Sequence, residues 1–286
     1  MNTVVLTELL AQYKPLLLAL LLSMGRTYAF LAASQILSPS AVPRLARTAA
    51  VLVLVAPLVP LNAAFAQGFD PGVATFAALF AKEYAVGFLI GFLIAWLFWA
   101  VQAAGAFIDN QRGAAIASSI DPLQGHETSP LGILFSQAFL TYFFTIGGFL
   151  LVIDLLYSSF QVWPVTRGLP IVSEAVPSFF LGVMDSGMRL MFVLAAPIIA
   201  LMFLAEFGLA IVSRFAPQIQ VFILAMPIKS AIAVLILIFY FSTMFDVAGR
   251  ESASFRSLLD RFYAMLEFGS GAIDSLPPPS PGGPRP

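Results

Sequence analysis

The sequence predicts an all-α, integral membrane helical protein built of broken hydrophobic helices. Three observations predict it. First, 60% of the 286 residues are hydrophobic and 10% charged, with a mean hydropathy of +0.94, whereas a soluble domain carries roughly 25% charged residues. Second, six apolar runs approach the length of about 20 residues that a helix needs to cross a bilayer. Third, prolines and glycines interrupt several of these runs, which lipid tolerates only where protein or water satisfies the freed backbone.

The runs follow in order. Pro15–Leu37 is the first. Its leading residues carry one acid and one base, not the basic start of a signal peptide, so it reads as a retained helix. Thr48–Ala66 is interrupted by Pro57 and Pro60. Phe76–Ala104 contains Gly87, Gly91 and Ala95, small residues spaced to let another backbone approach, with Trp96 and Trp99 nearby. Leu131–Tyr157, Leu190–Val212 and Val221–Phe245 complete the set. Val176–Met184 is too short to span and reads as an interfacial or re-entrant helix. With six spans, one side holds Lys14, Arg167, Arg189, Arg250, Arg256, Arg261 and Arg285, the other Arg44, Arg47, Arg112 and Arg214. That asymmetry leans towards cytoplasmic termini. A single helical domain is expected over 1–250, an amphipathic segment over 251–275 and a proline-rich, structureless tail over 276–286.

Charges inside apolar runs are Arg26, Lys82, Glu83, Asp154, Glu206 and Lys229. A lone charge at mid-bilayer costs about 2.5–3.5 kcal/mol or more, so each should be paired, wet or packed against another subunit. Structural pairing is favoured over a relay, because nothing spaces the acids as a relay would. Lys229 follows Pro227, which removes one helical hydrogen bond and should kink or break its helix. A gate or subunit contact and a snorkelling lysine are both open for it. Arg214, Pro217, Gln218 and Gln220 should mark a polar turn between the last two long helices.

The segment Gly105–Pro122, GAFIDNQRGAAIASSIDP, is the most polar stretch beside so much hydrocarbon. Asp109, Asn110, Gln111 and Arg112 are consecutive, so on a helix they would point all round. It must lie in water, line a pore or pack inside protein. A loop held in a narrow channel and an ordinary polar loop between spans are the two readings.

Other chemistry finds no motif. Cysteine is absent and His126 is the single histidine, so neither thiol catalysis nor a Cys- or His-based metal cluster is available. There is no glycine-rich phosphate loop. A net charge of −1 gives no electrostatic footprint for nucleic acid. No cofactor and no enzyme activity are expected.

The motifs GAFIDNQRG with the following DP, RFAPQIQVF and MPIKS, with KEYAVGFLIG, AAP at Ala195–Pro197 and Glu206, together resemble the T-subunit family of the type III secretion export apparatus (SctT, FliR-like). The resemblance runs from about residue 15 to 250, and MPIKS leans towards the injectisome branch over the flagellar one. Gln220 departs from the family pattern, in which an asparagine is expected, and the proline-rich tail is not shared. The resemblance implies a non-enzymatic subunit of the bacterial inner membrane, within the basal body of the secretion system. It implies an R-like half followed by an S-like helical hairpin, one copy joining five R and four S subunits beside the U and V subunits. Unfolded secreted proteins pass through that gate. The resemblance makes Gly105, Phe107, Ile108, Asp109, Asn110, Gln111, Arg112, Gly113, Asp121 and Pro122 the channel plug. Lys82, Glu83, Glu206, Arg214, Pro217, Gln218 and Lys229 become subunit contacts or buried charges, with the buried charges paired between subunits. The rival reading is a stand-alone proton-coupled transporter using Lys82, Glu83, Glu206 and Lys229. A purely structural assembly scaffold is a third.

Overall fold

A computed structural model describes residues 3–37, 42–66, 72–113, 129–165, 174–216 and 221–267. Among these residues every regular element is helical. The chain is an all-α membrane protein. Among the described residues, four helices are long and apolar enough to cross a membrane, or five if one broken pair counts as a single span.

Helix α1 covers Thr3–Ala33. The second expected span is not one helix. Pro57 supplies no N–H, and the run divides into α2 (Arg44–Val55) and α3 (Leu58–Ala66). Pro60 sits in the first turn of α3, where its missing donor costs nothing. At 12 and 9 residues neither piece spans, so the six-span count and the sidedness drawn from it do not hold.

Helix α4 (Val73–Gln111) is longer than expected, with 39 residues or about 58 Å at 1.5 Å per residue. It carries Gly105–Gln111 as its last turns, so the first half of the expected loop is helix. The fourth run breaks at Ile146–Gly147 into α5 (Pro130–Thr145) and α6 (Gly148–Val162). Gly147 adopts φ +81° there, a conformation other residues take only at a cost. Val176–Met184 is not a separate element; it forms the opening turns of α7 (Val176–Phe215). Pro227 does not break α8 (Val221–Glu251), which continues through it. A short 3₁₀ turn, Ser252–Ser254, leads into α9 (Phe255–Glu267).

The chain divides into two compact units rather than one continuous stretch. One comprises Met1–Ala95, Phe149–Phe180 and Phe255–Pro286; the other Trp96–Gly148 and Leu181–Ser254.

In the first unit α1 and α4 pack backbone against backbone. A Cβ on Gly87 would lie 2.2 Å from the Arg26 carbonyl oxygen, and one on Gly91 would lie 2.5 Å from that of Phe30. Between helices in lipid, close packing replaces the missing hydrophobic drive, and the Gly87/Gly91 spacing supplies it. Asn62 of α3 donates to Ser23 Oγ of α1 at 2.8 Å, both residues fully buried. Phe262 of α9 packs on Phe179 and Phe180, while Arg256 pairs with Asp154.

The second unit has an aromatic centre. Phe98 meets Phe139 and Phe143 edge-on, and Phe139 continues to Phe245, which meets Phe241 at 4.4 Å between centroids. Edge-on and tilted pairs use the ring quadrupole and add about 0.5–1.5 kcal/mol each beyond burial. Tyr142 closes this core by donating to Asp246 at 2.8 Å. α7 and α8 form a helical hairpin. Glu206 stands nine residues before the end of α7, Lys229 eight residues after the start of α8, and the two pair at 2.6 Å. Nearly equal distances from the connection are what antiparallel neighbours require.

Candidate functional site

The C-terminal end of α4 meets the beginning of α5 in the second unit. Glycines permit the approach. A Cβ on Gly105 would lie 2.6 Å from the Leu131 carbonyl, and one on Gly132 would lie 3.1 Å from the Gln102 carbonyl oxygen. One turn beyond Gly105, Asp109 is buried at 2% exposure and its carboxylate is fully engaged. Oδ1 accepts from Arg112 Nε at 2.7 Å, and Nη2 of the same guanidinium lies 2.7 Å away. Oδ2 accepts from Ser129 Oγ at 2.6 Å and from the backbone N–H of Leu131 at 2.9 Å.

Ser129 is the N-cap of α5 and also accepts from Gly132 N at 2.9 Å; Pro130 follows as the first helical residue. The first N–H groups of a helix have no intrahelical acceptor, and here Ser129 and Asp109 take two of them. The anionic carboxylate also suits the positive end of the α5 dipole. Asp109 therefore joins the end of one helix to the start of the next by charge-assisted hydrogen bonds, each worth about 1.5–3 kcal/mol. After Arg112 the chain turns at Gly113, with φ +85°.

The hairpin reaches the same place. Lys229 Nζ pairs with Glu206 Oε2 at 2.6 Å and points at the Gln111 carbonyl oxygen at 3.5 Å. That carbonyl is at the negative end of α4, where a cation is favourable. Phe107 is half-buried and meets Phe192 of α7 edge-on at 5.4 Å. Ile108 is fully buried, and Asn110 is exposed. The residues Gly105, Phe107–Gly113, Glu206 and Lys229 thus converge, although the sequence places them far apart. Arg214 is exposed in the last turn of α7. Asp121, Pro122, Pro217, Gln218, Gln220 and His126 lie outside the described residues.

Lys82 and Glu83 belong to a different cluster, in the first unit. Arg26 Nε and Nη2 hold Glu83 at 2.6 and 2.9 Å. Lys82 Nζ lies 2.6 Å from Glu83 Oε1. The cations also reach the end of α6. Arg26 donates to the carbonyls of Ser159 and Trp163, both at 2.8 Å, and Lys82 donates to that of Val165 at 3.0 Å. The Phe160 ring lies 4.2 Å from the Arg26 guanidinium carbon. Two cations against one carboxylate leave an excess positive charge, and the negative end of the α6 dipole offsets it. Within the chain, α1, α4 and the end of α6 with the residues just past it supply partners for these buried charges. Asp154 and Glu206 are likewise paired internally.

Ser129, Leu131 and Gly132 escaped the sequence reading. The signal was present: a serine, then a proline, then an apolar run is a helix start. Among the described residues no group of three or more His, Cys, Asp or Glu residues is placed to hold a metal ion.

The family model described as "Bacterial export proteins, family 1" matches residues 17–255. The chain belongs to that family. This export-family chain is also 48% identical over 153 residues to "Yop proteins translocation protein T" of Yersinia pestis, covering 54% of the chain and 59% of the relative. It is 37% identical over 149 residues to "Surface presentation of antigens protein SpaR" of Salmonella typhimurium, covering 51% and 54%. It is 34% identical over 149 residues to "Flagellar biosynthetic protein FliR" of Bacillus subtilis, covering 52% and 58%. The export-family chain thus spans just over half the length of the curated relatives it matches. The Asp109 junction, Glu206 and Lys229 all fall within the region matched by the family model.

Proposed function

We propose that this chain is a subunit of a type III secretion export gate in the bacterial inner membrane, within the basal body. It joins R- and S-type subunits there, in the ratio of one copy to five R and four S, beside the U and V subunits. Together they form a protein-conducting channel for unfolded substrates. The observation that carries the reading is the family match over residues 17–255, supported by relatives named for translocation and flagellar biosynthesis. The action is steric. Helices form part of the channel wall, and the chain around Gly105–Pro122 blocks passage until secretion begins.

The geometry refines this assignment. Gly105–Gly113 form a helix end and turn, tied to α5 and approached by the hairpin. These residues frame the block. The rival proton-coupled transporter needs carboxylates free to exchange protons along a path. Glu83 instead has both oxygens engaged by buried cations, which gives that rival no support.

The test is a mild-detergent pull-down of the tagged chain from cells expressing its neighbouring genes, read by native mass spectrometry. One copy bound to several small hydrophobic partners is expected. A lone monomer or homodimer, with those partners demonstrably expressed, overturns the proposal.

A further inference from the structure

We infer that the outer face of the α7–α8 hairpin faces lipid. The acyl chains of a bilayer lie against it between two levels, one marked by Arg189 and Asp246, the other by Glu206 and Lys229. The inference goes beyond the gate reading and does not depend on it.

The Glu206–Lys229 pair sets the register of the hairpin. Counting 17 residues back along α7 reaches Arg189, and 17 residues on along α8 reaches Asp246. The antiparallel helices therefore carry charge at the same two levels, about 25 Å apart at 1.5 Å per residue. A hydrocarbon core is about 30 Å thick, and a few ångströms of mismatch are absorbed by local thinning or by side chains reaching outwards. Arg189 and Asp185 pair with each other at 80% and 76% exposure, so the first level is open to headgroups and water. Between the levels, 190–205 contains no polar residue and 230–245 no charged one, as the high cost of charge at mid-bilayer requires. The side chains exposed there include Phe192, Phe203, Leu204, Leu235, Ile238 and Phe239.

Bulk separates lipid from a helix partner. Membrane helices approach one another over small residues, as α1 and α4 do over Gly87 and Gly91. No glycine occurs between the two levels. Ala196 and Ala200 are exposed there and offer the seat a second helix would use, so Ala200 is the decisive position. Past Glu206, Phe207 and Ile211 are exposed within the headgroup zone, about 5–7 Å deep on each side. Phe215, also exposed, lies beyond that zone.

The experiment uses the full chain with whatever subunits copurify, in vesicles of phosphatidylethanolamine and phosphatidylglycerol. The chain has no cysteine, so single spin labels are placed at Asp185→Cys, Ala200→Cys, Leu235→Cys and Phe215→Cys, all exposed positions. Leu201→Cys or Ile238→Cys replaces any variant that fails to fold. Power saturation compares collision with oxygen, which enters lipid, and with a nickel chelate, which stays in water. Oxygen should exceed the chelate at Ala200 and Leu235, and to the same degree, because the register puts both at one depth. The ratio should reverse at Asp185 and Phe215.

Poor access to both probes at Ala200 and Leu235 would mean that protein covers the band, and high access to both that water does; either overturns the inference. An oxygen excess that persists at Phe215 or Asp185 overturns the two levels. The gate reading is scored separately, by the partners that copurify, and a chain that arrives without them still yields the lipid profile.

Discussion

Glu83 receives Arg26 through both carboxylate oxygens, Nε to Oε2 and Nη2 to Oε1, and neither side chain reaches solvent. The residues stand 57 positions apart, so the contact is a joint between α1 and α4 rather than a local pair.

Removing that acid strands two buried cations. Glu83→Ala should destabilise the detergent-solubilised chain by about 3–5 kcal/mol, the cost of breaking a buried pair from one side. The triple change R26M/K82M/E83L should recover more than half of the loss, since it removes the stranded charge as well. Thermal unfolding measures both. A triple variant no better than the single one would assign the loss to packing instead.

Glycines in the α1–α4 contact should tolerate nothing larger. Gly87→Ala drives a methyl into the Arg26 carbonyl, and overpacking against backbone costs about 1–3 kcal/mol. Gly182→Ala and Gly208→Ala, in α7 with open space around the added carbon, should be neutral or gain up to about 1 kcal/mol from helix propensity. Equal effects at all three sites would contradict the packing geometry.

At the α5–α6 break, Gly147 and Gly148 answer to different constraints. Gly147→Ala meets no atom but must hold a positive φ, at about 1–2 kcal/mol. Gly148→Ala would place its methyl 2.5 Å from the Phe143 ring. Phe143→Leu should therefore partly rescue G148A and leave G147A unimproved, as read by unfolding temperature.

The hairpin pair is less buried. Glu206 is 49% exposed and Lys229 13%, so a double-mutant cycle with E206Q and K229M should give a coupling of about 0.5–1 kcal/mol. A coupling of zero would show that Lys229 spends its charge on the α4 terminus alone.

The long apolar runs were legible because spanning helices need little else. The misses have local causes. Asp185, Ser186 and Arg189 make the start of α7 look like an interruption, yet they are exposed on a helix whose buried face continues through Val183 and Leu190. Asp109–Arg112 look like a loop because four polar residues in a row cannot share one face. The helix holds through Gln111 because Ser129 and Leu131, 20 and 22 residues away, satisfy Asp109. The sequence requires Arg26, Lys82 and Glu83 to be paired, wet or packed against another subunit, but hydropathy cannot name partners at such separations. Pro57 shows in the sequence as an interruption, and the helix ends there because proline supplies no N–H.

The Arg26 joint also sets a timetable. During synthesis Arg26 enters the membrane long before Trp163, which lies 137 residues later. At 5–20 residues per second that is a wait of roughly 7 to 27 s. Glu83 arrives midway, but the Ser159 and Trp163 carbonyls complete the set only once α6 has been made. A nascent chain halted before that point carries a guanidinium whose hydrogen bonds are half made.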